Sequence, residues 1–358
     1  MSQSRAPRPS RTARRSERAW RRKLGAFGGA LALTGGLASA CSSGGGAPEK
    51  PNLNVGIVSG IGAATFQLGN SQQNQLFNKQ GLTLNVQTFA TDSALESALQ
   101  KGQIDIAFGD YSEILNSVAG SSSAAAVQVV GEGYDAGANT IGLVASTSSS
   151  LKNESITGDD GMAARIADGG ISVDVPNLTS PEYLALASWA IAQQNPLGQQ
   201  NVNAAENNQD GPATAAAMIS AVISGSVNTA VLQEPYLTQA IESGKVVEVA
   251  NLDSGNAANM PIAGYFALSS TVKKDPNTIA AFQTALSQSQ ALGASRVQVE
   301  AALTAAKVSA EVAATAAIGN YPTSIVTADI GNVLSLMGAA NLAITNLDSG
   351  ELTGTSDS

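Results

Sequence analysis

A short apolar strand that runs through a turn into a helix occurs twice in this chain of 358 residues, and it limits the fold more than any other feature. In the first copy, GQIDIAFGDYSE, the strand spans residues 104–108 and Gly109-Asp110-Tyr111 opens the helix. In the second copy, NTAVLQEPY, the strand spans residues 229–232 and the residues from Gln233 to Tyr236 open the helix. Such a turn places backbone N–H groups and polar side chains at the carboxyl edge of a sheet, where open α/β sheets bind ligands.

The segments around these two units predict two α/β lobes. Residues 52–119 alternate strand and helix three times, which is the order of a doubly wound parallel sheet. Residues 170–250 repeat the scheme, and their helix start, TSPE at 179–182, combines an N-cap, a first-turn proline and an acid. The roughly 310 residues after position 50 are too many for one small core and suit two lobes.

The two units also resemble a known family. LQKGQIDIA is similar to L..G..D.a and GSVNTAVLQEPY is similar to G..D.a.l.EPy, except that Asn228 replaces the aspartate. These motifs are typical of solute-binding proteins of bacterial ABC importers, in the branch that takes up nitrate, sulfonates, taurine and thiamine pyrimidine precursors. The resemblance implies the two-lobed periplasmic-binding-protein fold (type II). In this fold each lobe is a mostly parallel sheet flanked by helices, and the ligand lies in the cleft between the lobes.

The resemblance also implies a division of the chain. Lobe 1 is predicted to contain residues 52–147 and 257–345, and lobe 2 to contain residues 148–256. The Ser/Thr-rich stretch near residues 145–150 is typical of a hinge, and the chain is expected to return near residues 255–261. The last residues, 346–358, are predicted to be a frayed polar tail.

Residues 1–41 are predicted to be a signal peptide rather than part of the fold. Nine of the 19 basic residues lie in positions 1–23, and an apolar run follows. The run ends in LASAC, where small residues precede Cys41, the only cysteine of the chain. This pattern resembles a bacterial lipoprotein cleavage site, which implies a lipid on Cys41 and a flexible tether over residues 42–51. An ordinary secretory signal with an incidental cysteine is the alternative, and a partial twin-arginine motif leaves that export route open.

Charge and composition exclude several classes of function. Without residues 1–23 the chain has 10 Lys and Arg against 27 Asp and Glu, a net charge of −17. Such a surface repels nucleic acid and anionic headgroups, so neither is predicted as a partner. The chain has no histidine, which excludes Ser-His-Asp triads, Cys-His pairs and the usual zinc sites. Neither GxxxxGK[ST] nor GxGxxG occurs. The sequence therefore predicts a protein without cofactor or metal that is not an enzyme.

Nine residues at strand ends and helix starts are the candidate ligand contacts. The uncharged helix start of lobe 2 can donate to the oxygens of an anion, whereas a carboxylate would hold an amine. Each candidate also has a structural alternative, as a helix cap or, for the tyrosines, as core of its own lobe. The candidates are Ser59, Gly60, Ile61, Asp110 and Tyr111 in lobe 1 and Thr179, Ser180, Glu234 and Tyr236 in lobe 2.

These features predict a monomeric extracytoplasmic lipoprotein, anchored to the outer face of the cell membrane through Cys41. It is expected to capture a small polar organic solute by cleft closure and to deliver it to ABC permease subunits. The resemblance implies sulfonates, taurine-like or nitrate-like compounds, or thiamine-pyrimidine and amine compounds. The absence of arginine from the candidate positions favours a neutral, zwitterionic or amine-bearing solute. The alternatives are a sensor or interaction lipoprotein on the same fold and, more remotely, an enzyme of the pyrimidine-synthase type, which needs histidine and cysteine chemistry that the chain lacks.

Overall fold

The computed structural model describes residues 46–58, 60–121, 126–153, 161–205 and 212–355. These residues form two α/β lobes within one compact unit. The predicted signal peptide and Cys41 lie outside the described residues.

Lobe 1 begins with strands and helices that alternate along the chain. They are β1 (Asn52–Val58), α1 (Ala64–Asn70), α2 (Leu76–Lys79), β2 (Thr83–Phe89), α3 (Asp92–Gln100), β3 (Ile106–Asp110), α4 (Tyr111–Gly120) and β4 (Val127–Asp135). Lobe 2 follows as one continuous stretch. It contains β5 (Ile141–Ser146), α5 (Met162–Ala167), β6 (Val173–Val175), α6 (Pro181–Ala192), β7 (Asn203–Ala204), α7 (Pro212–Ser224), β8 (Thr229–Gln233), α8 (Tyr236–Glu242) and β9 (Val246–Asn251).

The chain then returns to lobe 1 for its last strand and six helices. They are β10 (Pro261–Leu268), α9 (Ser269–Lys274), α10 (Pro276–Gln290), α11 (Arg296–Ala305), α12 (Ala310–Thr315), α13 (Thr327–Ala339) and α14 (Ser349–Thr353). Among the residues described, no helix combines the length and the apolar character that crossing a membrane requires.

The two sheets have the same arrangement of strands. The first sheet has the order β2-β1-β3-β10-β4, in which β1 is parallel to β2 and β3, and β10 is antiparallel to β3 and β4. The second has the order β7-β6-β8-β5-β9, in which β6 is parallel to β7 and β8, and β5 is antiparallel to β8 and β9. In each sheet four strands run in one direction, and the one antiparallel strand, which arrives from the other lobe, lies between two of them. The predicted two-lobed α/β fold class is confirmed.

The chain crosses between the lobes at residues 136–140 and 252–260. The sequence placed the first crossing near residues 145–150 and β5 in lobe 1. The structure corrects this boundary, because residues 141–145 pair with β8 in the second sheet. The Ser/Thr-rich stretch is instead a turn after β5, where Thr147 N donates to Lys245 O at 2.9 Å. Side chains of small polar residues form turns as readily as hinges, so composition alone did not distinguish the two.

One carboxylate fastens the two crossing segments together. Asp253, in the returning segment, accepts hydrogen bonds from the backbone N–H groups of Asn139 and Ile141, each at 3.2 Å. It also accepts from both the N–H group and, at 3.0 Å, the hydroxyl of Thr140. Its side chain is buried. Ionised carboxylates form strong hydrogen bonds to backbone donors, so this contact fixes where the two segments meet.

The core of lobe 1 holds most of the few aromatic rings. Phe66, Phe77, Tyr265 and Phe282 pack together with ring centroids 5.3–5.8 Å apart. A smaller cluster of buried side chains under α7 and α8 forms a second core in lobe 2. These cores support the two sheets, whose strand ends face the cleft between the lobes.

The helical segments between β1 and β2 and after α9 are each interrupted, the second by a 3-10 turn over Ala291–Ala294. The predicted frayed tail contains α14, so that prediction is wrong for these residues. Asp348 caps α14 by accepting from Glu351 N at 3.0 Å, and Leu352 is only 5% exposed. One capped turn with a single apolar anchor is too short for a periodicity argument to detect.

Candidate functional site

A cavity of about 80 Å³ lies between the strand ends of the two lobes. Lobe 1 contributes the turn after β1, the ends of β3 and β4 and the start of β10. Lobe 2 contributes the turn after β6, the first turn of α6, one face of α7, the end of β8 and the start of α8. The position agrees with the expectation that ligands bind beyond the carboxyl ends of strands.

The turn after β1 lines the cleft as predicted. Gly60 and Ile61 both contribute to the wall, whereas Ser59 lies outside the described residues. The next residue, Gly62, packs closely against Tyr134 at the end of β4. A Cβ atom at position 62 would lie 3.0 Å from the Cβ of Tyr134. A larger residue at this turn would push the end of β4 away and open the wall.

The end of β3 places Asp110 in the cleft. The preceding Gly109 is required by packing, since a Cβ atom there would lie 2.0 Å from Oδ1 of Asp92. That oxygen accepts from the backbone N–H of Asp110 at 2.8 Å. Asp110 occupies the N-cap position of α4, but its side chain makes no capping hydrogen bond. Its side chain therefore does not take the alternative role of a helix cap, and Asp110 lines the cleft.

Tyr111 does not reach the ligand. It is fully buried inside lobe 1, with its ring 5.3 Å from that of Phe266. Gly264 of β10 makes room for it, because a Cβ atom there would lie 2.3 Å from the Tyr111 hydroxyl oxygen. The prediction of Tyr111 as a ligand contact is wrong, since the first residue of α4 faces the sheet rather than the cleft.

Thr179 and Ser180 also do not line the cleft. The Ser180 hydroxyl is fully buried and accepts from Tyr183 N at 3.2 Å, so its predicted capping role is confirmed. Thr179 donates through both its N–H group and its hydroxyl to Oδ1 of Asn177, at 2.8 and 2.6 Å. The donors expected for an anionic ligand are therefore used within the turn itself. The turn contributes Pro176 to the wall instead.

Glu182, in the first turn of α6, is the functional residue that the sequence missed at this edge. It was recognised only as an acid suited to the positive end of the helix dipole. In the structure it lines the cleft and is 9% exposed. Nearby, Nδ2 of Asn177 donates to Oε1 of Glu113 on α4 at 2.7 Å, which joins the two lobes at this side of the cleft.

Glu234, predicted from the second unit, lines the opposite part of the cleft. Its Oε1 accepts from the Thr238 hydroxyl at 2.7 Å and from Ala317 N at 3.0 Å, and its Oε2 accepts from Thr238 N at 3.2 Å. Burial raises the pKa of this carboxyl, although these hydrogen bonds and the charge of Arg296 lower it. Glu234 thus caps α8 and ties it to the segment after α12.

Tyr236, the last predicted contact, is half-buried and lines the cleft beside α7. Thr214 and Met218 of α7 line the cleft on the lobe 2 side with Tyr236. Phe108 and Tyr134 line it on the lobe 1 side. Nothing in the sequence distinguished these four residues from core positions. A helix face that lines a cleft is apolar in the same pattern as one that packs on a sheet.

Three acids come together on the lobe 1 side. Asp92, Asp110 and Glu113 can each place a carboxyl oxygen within 4.8 Å of the others. Carboxylate oxygens are the ligands that hard divalent cations prefer. Asp92 also bonds to the backbone of Asp110, so this group of acids has a structural use in shaping the end of β3.

Comparison with known protein families decides the class of the chain. The model of the NMT1-like family matches residues 46–310, which include all of lobe 2, every strand of lobe 1 and every described residue that lines the cleft. The chain belongs to the NMT1-like family. A search of curated protein sequences finds no match.

Solved structures of similar fold include ABC-transport proteins. One is a ligand-binding component of an ABC-type import system from Staphylococcus aureus with zinc bound, at TM-score 0.63, 16% identity and 84% and 96% coverage of this chain and that chain. Another is the periplasmic aliphatic sulphonate binding protein SsuA from Escherichia coli, at TM-score 0.62 and 19% identity, with 84% of this chain and 97% of that chain covered. A third is the periplasmic nitrate-binding protein NrtA from Synechocystis PCC 6803, at TM-score 0.59 and 16% identity, with 75% of this chain and 70% of that chain covered. At these identities the likeness shows a shared fold and leaves the solute open.

Proposed function

We propose that this chain is the solute-binding lipoprotein of an ABC importer. It captures a small polar organic solute outside the cytoplasm and delivers it to permease subunits in the membrane. The observation that carries this proposal is the cavity between two lobes that are joined by two short crossing segments. A ligand that contacts both walls stabilises the closed arrangement, because only there does it gain both sets of contacts.

Several polar contacts connect the lobes on either side of the cavity. The Tyr183 hydroxyl of α6 donates to Ala340 O at 3.3 Å, and the Thr315 hydroxyl of α12 donates to Oε1 of Glu242 at 2.6 Å. The bonds of Asn177 to Glu113 and of Ala317 to Glu234, described above, add to these. Each of these is a single hydrogen bond, so opening the cleft breaks contacts between the lobes and leaves the pairing of strands within each sheet in place.

The chemistry of the lining supports binding rather than catalysis. The sequence has no histidine, and its one cysteine lies far before β1. Among the described residues, the wall offers carboxyl, hydroxyl and amide groups but no thiol or imidazole. Among the described lining residues there is therefore no Ser–His or Cys–His pair, the arrangements that most often activate a nucleophile. We therefore assign no chemical step to the cleft.

The membrane anchor is proposed from the sequence alone. Cleavage before Cys41 and lipidation of its thiol would hold the protein at the outer face of the cell membrane. The test is expression of the full-length chain with Cys41→Ser in a bacterial host. The wild-type protein should incorporate labelled fatty acid and remain in the membrane fraction, whereas the variant should not be labelled. Equal labelling of both forms would contradict the anchor.

Solute capture is tested by thermal unfolding and hydrogen–deuterium exchange of the purified protein. The panel consists of alkylsulfonates, taurine, nitrate, aminopyrimidines and alkylamines. A solute at one hundred times its Kd stabilises the folded state by about 2.7 kcal/mol, a shift that unfolding measures easily. The same solute should slow exchange at both walls, in residues 60–62 and 231–236. Binding with protection on one wall alone would refute closure, and a folded protein that binds none of the panel would favour the sensor alternative.

A further inference from the structure

The charge of the cleft has one sign. Among the described residues that line it, Asp110, Glu182 and Glu234 carry carboxyl groups and none is a lysine or arginine. The internal stretches outside the described residues contain no lysine or arginine either. Lobe 1 supplies the aspartate and lobe 2 the two glutamates. A solute in the cleft therefore meets acidic side chains from both walls.

Arg296, a basic residue whose charge acts on a carboxyl group of the cleft, already donates hydrogen bonds to other groups of the protein. Arg296 acts on Glu234 electrostatically, but its Nε donates to Oε1 of Glu300 at 2.7 Å. Its two terminal nitrogens donate to the backbone carbonyls of Ala313, Ala314 and Ala316, which end α12. A guanidinium with these partners holds a helix end and cannot also clamp an anionic group, which would need the same donors.

Other parts of the wall suit an apolar body that carries a positive charge. Phe108, Tyr134 and Tyr236 supply aromatic rings, and Met218 supplies an adaptable thioether. Aromatic faces attract cations, and a methionine packs against hydrocarbon of varied shape. A hard divalent cation would instead need several oxygen ligands around one point, whereas the three carboxyl groups of the described lining are divided between the two lobes.

We propose that the solute is an organic cation, a small molecule with an ammonium or amidinium group on a hydrocarbon body. This inference rests on the proposed function, because it names the solute of the same cleft. The cationic group lies between Asp110 on one side and Glu182 and Glu234 on the other. Like charges on opposite walls repel one another, so the cation both binds them and favours closure. This solute class differs from the sulphonate and nitrate named for two proteins of similar fold.

Paired probes of opposite charge test the inference. Isothermal titration of the purified full-length protein uses butylammonium and tetramethylammonium against butanesulfonate, nitrate and Zn²⁺. Butylammonium and butanesulfonate share a hydrocarbon body, so their comparison isolates the charge. Butylammonium should bind roughly a hundredfold more tightly, because an anion in the cleft would lie against like charges.

Variants locate the binding group. Glu182→Gln keeps the shape of the side chain and should weaken butylammonium binding about tenfold, because it removes the charge from a hydrogen bond. Asp110→Asn provides the same test from lobe 1 if the first variant folds poorly. Glu96→Gln on α3, outside the cleft, is the matched control and should bind as the wild-type protein does. Unchanged affinity in both cleft variants would overturn the assignment.

The remaining outcomes separate the inference from the function on which it rests. Tighter binding of butanesulfonate or nitrate would overturn the charge assignment and leave the solute-binding function standing. Binding of Zn²⁺ alone would overturn the organic cation in favour of a metal at the acids of lobe 1. A folded protein that binds none of the probes would overturn the organic cation, whereas the solute-binding function is overturned only if the wider panel above also fails to bind.

Discussion

Replacing Asp253 with alanine tests whether one carboxylate holds the crossing segments together. The side chain accepts from three backbone N–H groups and one hydroxyl that lie 112–114 positions away in the chain. In the variant, Asn139 can turn its N–H group to water because it is exposed, and the Thr140 hydroxyl keeps its bond to Gly137 O at 2.9 Å. The Thr140 N–H group keeps a second acceptor, Gly137 O at 3.3 Å, so among the described contacts only the N–H group of Ile141 remains buried without an acceptor. One such group costs about 1–3 kcal/mol.

The measurement is the free energy of unfolding in urea, with the slope compared between variants. Asp253→Asn retains one acceptor oxygen and should lose about half as much as the alanine variant. Asp168→Ala is the control, because this exposed acid accepts only a local bond from Gly170 N at 2.8 Å among those described. A loss for Asp253→Ala no greater than that of the control would refute the reasoning. Faster amide exchange at residues 139–141 in the Asp253 variant would localise the effect.

Three further predictions concern stability. Raising the pH from 5 to 8 should lower the unfolding free energy, because burial raises the pKa of Glu132 to about 7 and of Asp135 to about 8. The folded state then binds more protons than the unfolded chain. The contribution of these two carboxyl groups to the unfolding free energy is therefore full below their unfolded pKa values of about 4, and it is lost as the pH rises toward 8. Glu132→Gln should flatten this profile of urea midpoints, and an unchanged slope would contradict it. Gly109→Ala should cost about 1–3 kcal/mol by overpacking, while Gly120→Ala, with open space around it, should cost little in the same unfolding assay. Leu352→Ala should lower the melting temperature through a loss of about 2–5 kcal/mol, and an unchanged melting temperature would mean that α14 does not stabilise lobe 1.

Local chemistry made the two strand–turn–helix units predictable. Each begins with an apolar run and ends in residues that stop a strand. The second strand and both helix starts agree with the structure, whereas β3 lies two residues later than the predicted 104–108. The positions of Gly60, Asp110 and Glu234 at the cleft followed from the same rule, since strand ends and helix starts meet at one edge of a sheet. The Ser180 cap likewise followed from its sequence neighbours.

Side-chain direction and long-range pairing were not predictable in this way. Asp110 lines the cleft, yet the next residue, Tyr111, is part of the core. Gly264, 153 positions after Tyr111, leaves the space that the tyrosine ring occupies. The lobe boundary depended on which strand β5 pairs with, and its own sequence is equally apolar in either sheet. Whether residues of α7 line the cleft depended on how the two lobes face each other. All three required contacts between residues that are distant in the chain.

The interior position of β10 in the first sheet determines the order in which the lobes can be completed. Ala263 pairs with Asp110, 153 positions earlier, and β10 separates β3 from β4. The second sheet draws all its strands from residues 141–251, so every one of them leaves the ribosome before β10 does. A growing chain that ends near residue 255 therefore has a full set of strands for lobe 2 but an open edge on β3 and an unpaired β4. Open edges recruit foreign strands, and late pairing over long loops is slow. Lobe 1 is thus the part of the newly made chain that completes its sheet last.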